Sequence, residues 1–527
     1  MQNLKFFYLL LITVVLFSCR KQDTTPPLEF TQNEDLASYQ EIASVNLGGL
    51  GAAEITAFDP ATDRLFAVNN SAENKIDVLD ISNPSNVTVI KSISMLPFGG
   101  YVNSVAVSNG KLAAAVESTN KQAPGKVIVF NTTTYAEIKS INVGSLPDMV
   151  TFSPDGNYII TANEGEPSDD YLNDPEGSVS IIKVADYSVV TLNFASFESQ
   201  LASLTAKGFR IFGPGKNFIK DIEPEYVTVS DDSKTAYVTL QENNAIAEID
   251  ITTATIKKIT PLGFKDYSLA GNAIDASDKD NKIEFANYAK VYGVYMPDAI
   301  AFFNYNGTPY LFTANEGDSR EYKAFVEMKR VSAVSLDATN FPTAATLKTD
   351  AILGRLNITT TLGDTDGDGD FDALYSLGSR SFSVWNATTG SQVFDSKNEL
   401  DIKAKELAIY DDGRSDDKAV EPESVCLGRI GTKSIAIIGM ERADAFAIYD
   451  ITNPTSPVFI KMYKTGDAPE GIIFIPASKS PINQSLIVTS NENDGTIKIY
   501  KTTKCPSLKV QKNAQLLGVQ LVGFRTL

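Results

Sequence analysis

The chain has 527 residues, 43% hydrophobic and 21% charged, and its 46 basic and 65 acidic residues leave a net charge of −19. It contains no histidine and only three cysteines. This excludes Ser-His-Asp and Cys-His nucleophile systems, His-ligated zinc or haem, and a disulfide framework, while a field of that sign repels nucleic acid and attracts cations.

The chain opens with Lys5 and an apolar run over residues 6–17, ending in Leu16-Phe17-Ser18-Cys19. The run has the length of a signal-peptide core and is too short for a membrane-spanning helix, which needs about 20 residues. Small and apolar residues before a cysteine read as a lipobox. Residues 1–18 are therefore predicted to be a lipoprotein signal peptide, with Cys19 lipidated. Residues 19–38, with Thr24, Thr25, Pro26 and Pro27, read as a flexible tether. The expected location is the bacterial envelope, lipid-anchored at the outer membrane on its periplasmic side or at the cell surface.

From residue 39 one phrase recurs: a small residue or Pro, an acid or amide, and a short β-branched strand. The copies occupy residues 53–58, 102–107, 147–152, 224–229, 297–302, 422–427 and 469–474. A turn and a second apolar strand follow each, ending at Asn70, Glu117, Glu164, Glu242, Glu316, Glu441 and Glu492; Ser153-Pro154-Asp155-Gly156 is the clearest turn, of type I. Where copies are close, their spacing of about 45–49 residues suits a four-stranded propeller blade. Residues 39–500 are thus predicted to form an all-β, seven-bladed β-propeller with long loop insertions. The segment Glu41-Ile42-Ala43-Ser44-Val45-Asn46 would supply the missing outer strand of the last blade and close the ring. Residues 373–396 look like a further hairpin or partial blade, which makes eight blades the alternative.

In such a blade the start of the first strand and the end of the second share one edge. Glu54, Asn103, Asp148, Glu225, Asp298, Glu423 and Glu470 are then expected around one central opening, with the second-strand series beside them. So many carboxylates in one funnel must raise their pKa values, pair with cationic side chains, or bind metal. Arg320 near Glu316, Arg442 beside Glu441, and Arg414 and Lys418 ahead of Glu423 are the candidate partners. Oxygen-only ligands favour Ca²⁺, or Mg²⁺, over zinc or copper.

Further along, Asp364, Asp366, Asp368, Asp370 and Asp372 alternate with small residues, like the first half of an EF-hand loop. The twelfth position is Tyr375, not a bidentate Glu, so the segment is expected to be a free-standing Ca²⁺ loop that takes its other ligands from elsewhere. Residues 411–418 mix both charges. Trp385 reads as core, and Cys426 as a small buried hydrophobe. Residues 501–527, with Cys505, form a tail of unknown role.

The phrases Ala162-Asn163-Glu164-Gly165-Glu166-Pro167, Ala314-Asn315-Glu316-Gly317-Asp318-Ser319-Arg320, Asp366-Gly367-Asp368-Gly369-Asp370, Ser379-Arg380-Ser381-Phe382-Ser383 and Arg414-Ser415-Asp416-Asp417-Lys418, with Glu421-Pro422-Glu423 and Met440-Glu441-Arg442, resemble the choice-of-anchor I domain family. The resemblance covers roughly residues 39–500. It implies an extracytoplasmic propeller, attached to the surface by different means in different members; some relatives carry alkaline-phosphatase-like or cell-surface-glycoprotein labels. Ala419 departs from the pattern, where relatives tend to have Gly.

Two functions follow. The first is a lipid-anchored, calcium-binding surface or scaffold protein with a small-molecule, glycan or protein ligand. The alternative is a Ca²⁺-dependent hydrolase of phosphate esters or lactones. In it Glu54, Asn103, Asp148 and Glu225 would hold the metal and Arg320, Arg414 and Arg442 would clamp an anion, which makes Asp148, Glu225 and these arginines the catalytic candidates.

Overall fold

The computed structural model describes residues 34–503; the signal peptide, Cys19, most of the tether, and the tail beyond 503 with Cys505 lie outside them. The chain alternates short β-branched strands with tight turns, and neighbouring strands pair antiparallel into sheets of four. Seven such sheets occur among the described residues. Their innermost strands are Thr56–Asp59, Val102–Ser108, Pro147–Phe152, Pro224–Val229, Ile300–Tyr305, Pro422–Ile430 and Pro469–Ile475. Each lies beside the innermost strand of the next sheet, and the last lies beside the first, so the sheets form the blades of a closed wheel.

Burial follows radius. The second strand of the third blade, Tyr158–Asn163, is buried from Ile159 onward, whereas the outermost strand Val189–Leu192 is largely exposed. A middle strand is covered on both faces by adjacent blades, so it reads as a continuous apolar run; the rim meets water. The apolar cores lie between blades. Phe66, Val68 and Ile76 of the first pack on Leu112 and Ile128 of the second, and Ile437 and Phe446 of the sixth pack on Ile487 and Tyr500 of the seventh.

The predicted turn at Ser153 forms as expected: the Gly156 amide donates to the Ser153 carbonyl (2.8 Å) and Gly156 adopts φ +72°. The strand Tyr39–Asn46 does close the ring. It pairs antiparallel with Thr496–Thr502, from Tyr39 opposite Thr502 to Asn46 opposite Thr496. Glu34 extends the clasp by accepting from the Ser485 amide (3.0 Å) and the Thr502 hydroxyl (3.2 Å).

One expectation is corrected. Residues 373–396 do supply a hairpin, but it completes the fifth blade and does not start an eighth. Ser381–Asn386 and Gln392–Asp395 are the third and fourth strands of the fifth blade, paired to Thr308–Asn315. Leu374–Leu377 instead joins Phe264–Asp266 and Val291–Val294 in a small sheet with one parallel pairing. The large insertion falls between the second and third strands of one blade, so the repeat is interrupted inside a unit. This insertion shares a core with the segment between the fourth and fifth blades: Val331, Phe341, Leu356 and Leu374 pack with Tyr267 and Val291.

Candidate functional site

Four inner strands are entered through the same irregular backbone. Leu146, Met296, Glu421 and Ala468 each precede a proline and adopt φ of +47°, +45°, +56° and +54°. Side chains other than Gly rarely occupy this region, and such strain persists only where the surroundings enforce it. A register shift follows at Asn103, Asp148, Glu225, Glu423 and Glu470, leaving each of these residues outside the ladder. A bulge of this kind re-aims a side chain. Here it turns the polar group out of the sheet, toward the hub.

A cavity of about 330 Å³ occupies the hub. Asn103, Asp148, Glu225, Asp298, Glu423 and Glu470 line it, joined by Glu316 and Glu441 from the second-strand series. Glu54 opens into an adjoining cavity of about 370 Å³ with Asn70, Glu117, Glu164 and Glu492; Asn103 and Asp148 face both. The structure thus brings both acidic series to one end of the wheel.

Scarcity of water in this narrow space, together with neighbouring charge, raises most of these carboxyls. Burial and then Glu492 push Glu54 to about 8, against a hydrogen bond from Asn70. Burial and Glu166 push Asp148 to about 7, against the pull of Lys121. Burial, then Glu164 and Asp148, raises Glu225 well above the carboxylate range; burial and Glu441 do the same for Glu423. Asp298 and Glu470 rise likewise, for burial first and acidic neighbours second. Buried oxygens of Glu423 and Glu470 have no hydrogen-bond partner.

Two stretches of the hub repeat one arrangement. In the third and fourth blades, oxygens of Asp148, Glu164 and Glu225 lie within 4.8 Å of one another, as do those of Glu164, Glu223 and Glu242. In the fifth and sixth blades, Asp298, Glu316 and Glu423 form the first kind of triad, and Glu316, Glu421 and Glu441 the second. The second stretch is neutralised from within. Lys418 Nζ bridges Glu316 (2.8 Å) and Glu421 (2.5 Å), Arg414 reaches Glu421 (2.9 Å), and Arg442 reaches Glu441 (2.8 Å) and Glu421 (3.3 Å). Glu421 is 1% exposed. Burial alone would raise its carboxyl, yet Lys418, Arg414 and Arg442 together hold it below the ordinary range.

The predicted cationic partners are redistributed. Arg442 does pair with Glu441, but Arg414 and Lys418 serve Glu421 rather than Glu423. Arg320 turns away from Glu316 and lies 3% exposed between Asp221 and Glu223. Glu223, Glu421, Asp318 and Gln241 are site residues that the repeat phrase did not single out. A signal for two of them existed: Glu223-Pro224-Glu225 has the same acid–Pro–acid form as Glu421-Pro422-Glu423.

The 364–372 loop lies away from the hub. Its acids chiefly cap its own backbone: Asp364 accepts from the Gly367 (2.7 Å) and Gly369 (3.1 Å) amides, and Asp372 from that of Thr365 (2.8 Å). Asp370 and Asp372 approach Asp337, an acid from elsewhere in the insertion, with oxygens within 4.8 Å. Asp366 and Asp368 stay exposed.

Trp385 is buried, its indole N–H donating to Thr313 (2.9 Å), and burial pushes the Cys426 thiol up to about 11. No helix among the described residues is long and apolar enough to cross a membrane.

The family model for the choice-of-anchor I domain matches residues 54–454. Gigasin-3a of Magallana gigas is 30% identical over 185 residues, 29% of this chain; the chain spans 65% of that relative's length. Hydrazine synthase of Kuenenia stuttgartiensis aligns with 86% of this chain and 96% of its own, at 13% identity and a TM-score of 0.47. The Cps50 (Swd1) β-propeller domain of Myceliophteria thermophila aligns with 88% and 100%, at 8% identity and a TM-score of 0.44.

Proposed function

The chain belongs to the choice-of-anchor I domain family, and from that premise we propose that it is a lipid-anchored surface scaffold whose acidic hub binds ligands through a hard divalent cation, Ca²⁺ or Mg²⁺. Family and fold suggest a surface or scaffold protein. Lipidation at Cys19 would tether the wheel through the short segment that ends at its closing strand.

The observation that carries the cation is the charge imbalance at Asp148, Glu164 and Glu225. These three present converging oxygens, and none takes part in an ion pair among the described residues. Lys121, whose charge acts on Asp148, is paired with Glu166. Carboxylate oxygens without nitrogen or sulfur ligands suit Ca²⁺, or Mg²⁺ where the cage is small. Such an ion would offer its outer face to a small-molecule, glycan or protein ligand in the cavity. The 364–372 loop with Asp337 would be a second, peripheral calcium position serving stability.

Binding is favoured over turnover by the engagement of the arginines. Arg320 and Arg414 are held by carboxylates, and Arg442, which lines the cavity, is paired with Glu421 and Glu441. The test is metal content and ⁴⁵Ca²⁺ binding of the full chain, beside Asp148→Asn and Glu225→Gln. Loss of one bound ion in the variants is expected; undiminished binding in both would refute the hub site. Palmitate labelling that persists in Cys19→Ser would refute the anchor.

A further inference from the structure

Beside the hub lies a closed set of acids that the channel scarcely exposes. Glu223 is 2% exposed and Glu242 4% exposed, and both approach Glu164. Glu223 sits two residues before Glu225 across Pro224; Glu225 lines the hub cavity, while Glu223 is buried beside Glu164 and Glu242. The oxygens of Glu164, Glu223 and Glu242 lie within 4.8 Å of one another. Oxygens bound to a single Ca²⁺ at about 2.4 Å cannot stand more than about 4.8 Å apart, so the set satisfies the geometric condition for sharing an ion.

Two further observations point to a ligand there. Glu242 Oε2 is buried and has no hydrogen-bond partner. Buried polar atoms are almost always satisfied, so an orphan in a native fold calls for an unseen ion or partner. The second observation is internal to the molecule. By the repeat, Glu164, Glu223 and Glu242 correspond to Glu316, Glu421 and Glu441. In that twin the chain supplies the cation itself, as Lys418 Nζ bridging Glu316 and Glu421. Lys220 stands at the same offset before Glu223 but makes no ion pair with Glu164, Glu223 or Glu242; its charge acts on Asp174. Arg320 pairs with Glu223 while shared with Asp221, and its charge also pulls Glu242 down; Arg210 is committed to Glu327 and to the Glu242 backbone carbonyl (3.1 Å). The twin gathers three cations, whereas this copy has only Arg320, shared with Asp221.

We propose that Glu164, Glu223 and Glu242 hold a divalent cation of the calcium class, in the place that Lys418 Nζ fills in the twin. This ion is separate from the one assigned to the hub, although Glu164 borders both. It ties the third blade to the fourth from within, as Lys418 ties the fifth to the sixth.

Terbium is the probe, since it substitutes for Ca²⁺ and is sensitised by nearby tyrosine. Tyr322 is close enough to feel the charge of Glu223, Glu164 and Glu242. Full-length protein titrated with Tb³⁺ under tyrosine excitation should show saturable emission that Ca²⁺ displaces. Glu242→Gln and Glu223→Gln, tested separately in case one fails to fold, should each weaken that emission's midpoint at least tenfold. Each should also lower bound calcium by one ion per chain. Near-UV circular dichroism in EGTA verifies the fold of each variant. Tyr322→Phe should dim the emission and leave the midpoint unchanged. An unaltered midpoint in folded Glu223→Gln and Glu242→Gln would overturn the proposal. Asp148→Asn and Glu225→Gln should leave it intact; if these abolish all binding while the chamber variants do not, the hub site stands and the chamber site falls. If they change nothing while the chamber variants do, the hub reading falls alone.

Discussion

The third-to-fourth blade junction and the fifth-to-sixth blade junction place five acids in equivalent positions, yet resolve their repulsion differently. At one, Lys418, Arg414 and Arg442 are built into the chain and Glu421 stays ionised. At the other, burial and mutual repulsion push the carboxyls up, Asp148 to about 7 and Glu242 to about 8. A fold that repeats its geometry need not repeat its electrostatics. One junction gathers three cations around its acids, whereas the other has Arg320 alone, at Glu223 and shared with Asp221, which leaves more of its charge to protons or metal from the medium.

The strongest way to break this contrast is to strip the first junction of its cation. Lys418→Met leaves Glu421 buried with Arg414 and Arg442 and Glu316 with only the Gln241 amide (2.9 Å). Removing one member of a buried pair costs roughly 3–5 kcal/mol. Urea denaturation should read that loss, and millimolar Ca²⁺ should restore part of it. A variant that ignores calcium would end the equivalence between lysine and metal.

Removal of calcium from the unaltered protein is the next largest effect. An ion at a hundredfold excess over its dissociation constant stabilises by about 2.7 kcal/mol. The melting temperature should fall in EGTA and recover on re-addition of Ca²⁺.

Titration sharpens the comparison further, because Glu421 responds to pH with the opposite sign to the raised carboxyls that both junctions contain. A carboxyl whose folded pKa lies above its unfolded one contributes stability that is whole below the unfolded value and vanishes as pH rises through the folded one. In EGTA, Asp148, raised to about 7, and Glu54 and Glu242, raised to about 8, should therefore make the protein less stable from about pH 5 to pH 9. Glu421, held low, contributes stability above its unfolded pKa that disappears on acidification through its folded one. Glu225→Gln in EGTA should raise stability by about 1–2 kcal/mol and flatten the alkaline decline, since a neutral isostere removes a buried uncompensated charge. Guanidinium denaturation at pH 5, 7 and 9 tests both.

The smallest effect concerns Ala419, which adopts φ +55° beside Lys418. The left-handed region penalises any side chain, so Ala419→Gly should stabilise by about 0.5–1 kcal/mol, the relief of strain outweighing the extra freedom of the unfolded chain. Chemical denaturation of the variant checks it.

Much of this was legible in the residues. The acid-led phrase marked the inner strands because, in five of the seven, a bulge at that residue aims its side chain at the hub, and Glu41 to Asn46 read as the closing strand because the last copy lacked one. The distribution of charge was less legible. Arg320 reaches Asp221 and Glu223 across a distance in sequence of about a hundred residues, which no local pattern encodes, and Asp337 joins Asp370 and Asp372 by the same kind of long reach. The blade split by the insertion was also hidden, because Thr308–Asn315 and Ser381–Asn386 pair across a segment that itself looks like strand and turn.

The clasp between Tyr39–Asn46 and Thr496–Thr502 has a consequence for how the wheel comes into being. Its partners lie about 460 residues apart, and contacts of such separation form late, because the loop between them must be ordered first. The final blade stays an open edge until the chain's last strands exist. Premature completion during synthesis is thereby prevented, and any nick that frees residue 39 from residue 502 exposes that edge again.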